Sequence, residues 1–191
     1  PALYLPFIVM FLALILRAVA LEFRDYAPSE TAKRWVDGVM LGGSLCTGAI
    51  QGIILGTLVQ GVPHKGGQYT GDGGEWLTPF PLFCGGVLVL GYAWLGTCWL
   101  YWRTVDELQW RSARQAKWLA LVTVTLLLIL VGWTSTLQGQ YLQRLSDVRV
   151  WLTSAVLLGT LLVVFHLGFR SRFHGLPLFA ALGVFILAFA L

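Results

Sequence analysis

The chain has 191 residues, of which 57% are hydrophobic and only 12% charged, and its mean hydropathy is +0.74. A soluble domain carries roughly 25% charged residues, so too little polar surface is present here to cover a water-exposed core. The formal charge of +4 does not point to a nucleic-acid partner, because the cations sit between apolar runs and form no stripe interleaved with aromatics.

Six apolar segments follow one another at about 2–21, 36–62, 80–102, 118–137, 150–169 and 176–191. At 1.5 Å per residue each reaches, or nearly reaches, across about 30 Å of hydrocarbon as a helix. Runs such as LALVTVTLLLILVG are continuously apolar, unlike the alternating strands of a membrane barrel. The expectation is an all-α, multi-pass transmembrane bundle in one domain. The chain also opens and closes in apolar sequence, which predicts further segments at both ends.

The first segment carries Arg17, a cation that costs several kcal/mol in hydrocarbon unless it is paired or reaches the headgroups. Glu22 follows five residues on and so points to another face, while Asp25 and Asp37 flank the same connection. Arg17 is read either as an arginine reaching the interface or as part of an intramembrane ion pair. In the second segment Ser44, Gly48, Gly52 and Gly56 recur every four residues. That spacing places four small side chains on one face, a signal for close helix packing. The following stretch 63–78, PHKGGQYTGDGGEWLT, reads as a mobile loop because it is rich in glycine and lacks apolar periodicity.

Cys46, Cys84 and Cys98 lie in apolar runs without CxxC spacing and read as small buried hydrophobes, with no metal site. Of the three histidines, His64 and His174 fall in connections, which leaves His166 in the fifth segment as the one candidate haem ligand. No CxxCH, Walker, GxGxxG, HExxH or GxSxG motif occurs, so no catalytic residue is assigned. Cations concentrate in the first, third and fifth connections, at Arg24, Lys33, Arg34, Arg103, Arg111, Arg114, Lys117, Arg170 and Arg172. The second and fourth hold only Lys65, Arg144 and Arg149, so the odd connections are expected on the cytoplasmic side.

Five stretches together resemble subunit II of the bacterial cytochrome bd ubiquinol oxidases, including the cyanide-insensitive relatives. They are Ile15-Leu16-Arg17-Ala18-Val19-Ala20-Leu21-Glu22-Phe23-Arg24, Gly56-Thr57-Leu58-Val59-Gln60-Gly61-Val62-Pro63, Trp76-Leu77-Thr78-Pro79-Phe80, Gly91-Tyr92-Ala93 with Gly96-Thr97, and Arg103-Thr104-Val105-Asp106-Glu107-Leu108-Gln109. The strong part covers about Leu3 to Val122. Thr57 and Thr78 stand where the family usually has Asn, and Asp106 where it often has Gly.

The resemblance implies that the chain corresponds to the third through eighth helices of a nine-helix subunit in the bacterial inner membrane. It implies a non-haem subunit of a terminal oxidase that oxidises quinol and reduces dioxygen to water, with b and d haems in a partner subunit I. A small accessory subunit and a structural quinone are further associations of the family. Arg17 and Glu22 match charged positions near the family's proposed proton entry. The alternative reading is a small-molecule transporter, which would be expected to show broken helices or intramembrane acids; a third is a haem protein in its own right through His166.

Overall fold

The computed structural model describes residues 3–65, 68–137, 148–171 and 173–190. Arg144 and Arg172 of the charge pattern, and residues 66–67 of the 63–78 loop, lie outside the described residues. Among the described residues there are six helices: α1 Tyr4–Phe23, α2 Glu30–Gln60, α3 Pro79–Arg103, α4 Asp106–Leu137, α5 Val148–Gly168 and α6 Leu176–Ala190. The first five are long and apolar enough to cross a membrane. With 15 residues, α6 is about 22 Å long, short of the hydrocarbon thickness.

Helix ends follow local chemistry. Ser29 caps α2, its Oγ accepting from Ala32 N at 3.2 Å, and Glu30 in the first turn complements the helix dipole. The other end stops at Gly61, whose φ of 91° turns the chain in a conformation that glycine adopts at no steric cost. Pro79 begins α3, where a missing N–H is harmless. Both α2 and α4 start well before the apolar segments they contain, at Glu30 and Asp106 instead of about 36 and 118.

Asp106 has a φ of 59°, the left-handed region that favours glycine and, after it, Asn and Asp. The departure from the family's frequent Gly at this position therefore preserves the backbone turn into α4. Asp106→Gly is expected to change stability by only a few tenths of a kcal/mol, whereas Asp106→Val should cost about 1–2 kcal/mol. Thermal unfolding of the two variants in detergent checks the order.

The chain divides into two compact units, Pro1–Val89 and Leu90–Leu191, with the boundary inside α3. In the first unit Ile50, Ile53 and Ile54 of α2 form a buried cluster against Leu3, Met10, Cys46 and Trp76. In the second, Trp94 is fully buried among Cys98, Ala116, Ala120, Ala180, Ala181 and Val184. Its ring meets Phe165 edge-on at 5.4 Å between centroids and Phe185 at 6.0 Å. Small side chains on α4 and α6 make room for the indole, so one large side chain organises the packing of that unit.

The described residues of the 63–78 stretch carry local structure next to the end of α2. His64–Lys65 pairs antiparallel with Gln68–Tyr69, and Glu75–Leu77 forms a single 3-10 turn. Tyr69 Oη lies 2.7 Å from both carboxylate oxygens of Glu75 and accepts from Gly73 N at 2.7 Å. Trp76 Nε1 donates to the Gly73 carbonyl at 3.0 Å. Thr78 Oγ1 stands 2.8 Å from Gln60 Oε1 and 2.9 Å from the Glu75 carbonyl, tying the turn to the last residue of α2.

Candidate functional site

The residues singled out by the sequence converge mainly on the first unit. Along α1, Ala13, Arg17, Ala20 and Arg24 are spaced by four, three and four residues and share one face. Ala13 and Ala20 are buried. Gly43 of α2 sits against this face: a Cβ built on it would lie 2.9 Å from the Ala13 carbonyl oxygen and 3.2 Å from Arg17 Cβ. The Arg17 stem therefore leaves the α1–α2 seam beside a glycine, and the residue is exposed. One end of the seam is closed by Arg24, whose Nε donates to Asp37 Oδ1 at 2.6 Å. The hydrogen bond to Asp37, and then its charge, raise the Arg24 guanidinium pKa.

Glu22 is exposed on another face of α1. Neither it nor Arg17 enters an ion pair among the described residues. Arg17 lies seven residues from Arg24, about 10 Å deeper along the helix. Two positively charged positions on one seam thus differ in outcome: the outer one is neutralised within the chain, and the inner one is left to its surroundings. Gly43 and the Arg24–Asp37 pair were not singled out from the sequence. The available signal was the seven-residue repeat from Arg17 to Arg24, which places both guanidinium groups on one face.

The small residues of α2 serve a different contact. A Cβ on Gly52 would meet the Cys84 carbonyl oxygen at 2.6 Å and Gly85 Cα at 2.7 Å, and one on Gly56 would meet Pro81 Cα at 2.7 Å. From the facing side, a Cβ on Gly85 would meet the Ala49 carbonyl oxygen at 2.8 Å. Glycine on both helices lets α2 and the first half of α3 touch backbone to backbone. Gly48 is buried on the same face, and the half-buried Ser44 donates from Oγ to the Met40 carbonyl at 2.8 Å. Thr57 Oγ1 likewise turns back within its own helix, to the Ile53 carbonyl at 2.8 Å.

His166, on α5, is exposed next to buried Phe165. His64 Nδ1 lies 2.9 Å from the Val62 carbonyl, and the His174 ring packs on Tyr101 at 5.6 Å. All three histidines are exposed. Among the described residues no three of His, Cys, Asp and Glu gather as a metal-ligand set.

Outside the membrane-spanning helices, partial burial of Tyr69, and next its hydrogen bond to Glu75, raise the phenol pKa above its ordinary 10.0. The folded loop therefore favours the protonated phenol. That contribution is fully present below the unfolded pKa near 10 and is lost as pH rises through the raised folded value. Trp76 fluorescence should report loosening of the loop above pH 10, and Tyr69→Phe should abolish that transition. An unchanged alkaline transition in Tyr69→Phe would assign it to another group.

Comparison with known proteins matches residues 1–191 to the family described as cytochrome bd terminal oxidase subunit II. Over 149 residues, 75% of this chain and 39% of the relative, the chain is 26% identical to a probable cytochrome oxidase subunit 2 of Haemophilus influenzae. Over 126 residues, 63% of this chain and 33% of the relative, it is 31% identical to the cytochrome bd-I ubiquinol oxidase subunit 2 of Escherichia coli strain K12. The matched part of the chain thus spans about a third to two fifths of the length of these curated relatives.

Proposed function

The chain belongs to the cytochrome bd terminal oxidase subunit II family, and we propose that it works as the non-haem subunit of a bacterial inner-membrane quinol oxidase. In that reaction two quinols give up four electrons and four protons, and one dioxygen takes up four of each to become two waters. On this reading the b and d haems lie in the partner, subunit I, as membership of the family implies, and this chain's contribution is assembly and proton access.

The observation that carries this reading is Arg17. It emerges from the α1–α2 seam among exposed apolar residues such as Leu12, Ile15, Leu16 and Val19, without an ion-pair partner among the described residues. A cation in that setting needs a counter-charge or a water-filled path. A neighbouring subunit that places an acidic group or a water chain against this seam supplies it, and such a contact is also a route by which protons reach a haem-bearing chain. Glu22, one turn and a half nearer the interface, extends the charge pattern toward the aqueous side.

In a host lacking its own copy of the subunit, the full-length protein should restore quinol-dependent oxygen uptake. A partner that assembles and loads its haems equally well without this subunit, and turns over at the same rate, would refute the proposal.

A further inference from the structure

We propose that the cation-rich end of the second unit, with the apolar groove that continues from it, binds one phospholipid carrying an anionic headgroup. Along α4, Lys117, Leu121, Val124, Leu128 and Val131 are separated by four, three, four and three residues and share one face. The face begins with an ammonium group and continues as hydrocarbon. Lys117 Nζ lies 4.9 Å from the centroid of the Phe169 ring, which brings the charge to the end of α5, where Arg170 is the next residue. Arg114 stands one turn before Lys117 and is exposed.

No ion pair engages Arg114, Lys117 or Arg170 among the described residues. Of the two acids that open α4, Glu107 is taken by Arg111 at 2.5 Å. Three cations thus have no ion-pair partner among the described residues, close along α4 to the exposed Trp118, a residue type that favours the bilayer interface. Phosphate is the anion the bilayer presents at that depth.

The groove has a volume of about 460 Å³ and is bounded by Val124, Leu128 and Val131 of α4, Leu158 and Leu162 of α5, and Val184 of α6. Val124 and Leu128 belong to both the groove and the Lys117 face, so the two features are continuous. Val131 is fourteen residues from Lys117, about 21 Å along the axis, a distance one long acyl chain spans. Cations, interfacial indole and apolar groove follow in the order of phosphate, glycerol and hydrocarbon in a phospholipid.

The test uses the full-length protein in its native complex, purified in mild detergent, loaded with palmitoyl-oleoyl phosphatidylglycerol and washed with excess phosphatidylcholine. Lipid retained by the complex is measured by mass spectrometry. The unmodified complex should keep phosphatidylglycerol and exchange phosphatidylcholine freely, and its melting temperature should be higher in the anionic lipid. Each cation removed should weaken retention about fivefold, so combining Arg114→Gln, Lys117→Gln and Arg170→Gln weakens it roughly a hundredfold. Arg111→Gln, which removes a cation already paired, should leave retention unchanged. Gly159 lines the groove and has nothing within 4 Å of a built Cβ, so Gly159→Phe fills the tail site with the cations intact and should also lower retention. Equal retention of the two lipids by the unmodified complex, undiminished retention by the triple variant, or an isoprenoid quinone recovered from the groove would each overturn the proposal.

Discussion

Replacing Gly52 with valine is expected to destabilise the first unit by about 3 kcal/mol or more, the upper end of what overpacking costs. The reason is the identity of the atoms in the way. A β-carbon at Gly52 falls 2.6 Å from the Cys84 carbonyl oxygen and 2.7 Å from Gly85 Cα, and both are backbone atoms that no rotamer change can remove. The helices must separate, which also opens the reciprocal contact of Gly85 with the Ala49 carbonyl. Close approach of this kind is a main source of helix association in a membrane, where burial from water supplies no driving force between helices. Gly38, on the same helix, has nothing within 4 Å of a built Cβ, so Gly38→Ala should be tolerated and stabilise the helix by about 0.5–1 kcal/mol. Thermal unfolding in detergent and the yield of assembled complex measure both. Equal stability of Gly52→Val and Gly38→Ala would contradict the packing account.

Replacing Arg17 with leucine is expected to slow quinol-driven oxygen uptake about tenfold, a barrier increase of about 1.4 kcal/mol, with assembly and haem content unchanged. The substitution relieves this chain of a cation that costs about 2.5–3.5 kcal/mol on insertion scales. A loss of activity would therefore not follow from a failure of α1 to insert. It would report the loss of a charge that the neighbouring subunit uses. Arg17→Lys keeps the charge at nearly the same place and should recover most of the rate, and the pH profile of oxygen uptake should shift in the leucine variant alone. An unchanged rate and profile in Arg17→Leu would remove the proton-access role from this residue.

The helical architecture was legible because apolar runs leave few alternatives in lipid, where backbone groups must be satisfied within a segment. The helix starts were less so. α4 begins at Asp106, twelve residues before the apolar run, because DELQWRSARQAK is polar yet contains neither Gly nor Pro and is rich in good helix formers. Hydropathy marks where the hydrocarbon lies, which differs from where the helix begins.

At the α2 contacts, four-residue spacing pointed to the Gly52 and Gly56 face but passed over Gly43. Nine residues separate Gly43 from Gly52, half a rotation about the helix, so the two glycines admit different neighbours, α1 and α3. One sequence records that a small residue is present and is silent on which helix comes near. In the 63–78 loop, likewise, the glycines gave no sign of the contacts that Tyr69, Glu75, Trp76 and Thr78 make across several residues. The family itself was legible, since the motif around Arg17 and the stretches from Gly56 to Gln109 carry a resemblance that the match over residues 1–191 bears out.

The central claim, a haem-free subunit serving a haem-bearing partner, is tested most directly by purifying the full-length protein from its native membrane in mild detergent. A reduced-minus-oxidised spectrum is then recorded and the co-purifying chains are identified by mass spectrometry. The account predicts b and d haem bands that stay with a larger partner when the two chains are separated, leaving this chain colourless. Haem bands that remain with the isolated chain, or a colourless preparation without a partner, would contradict it.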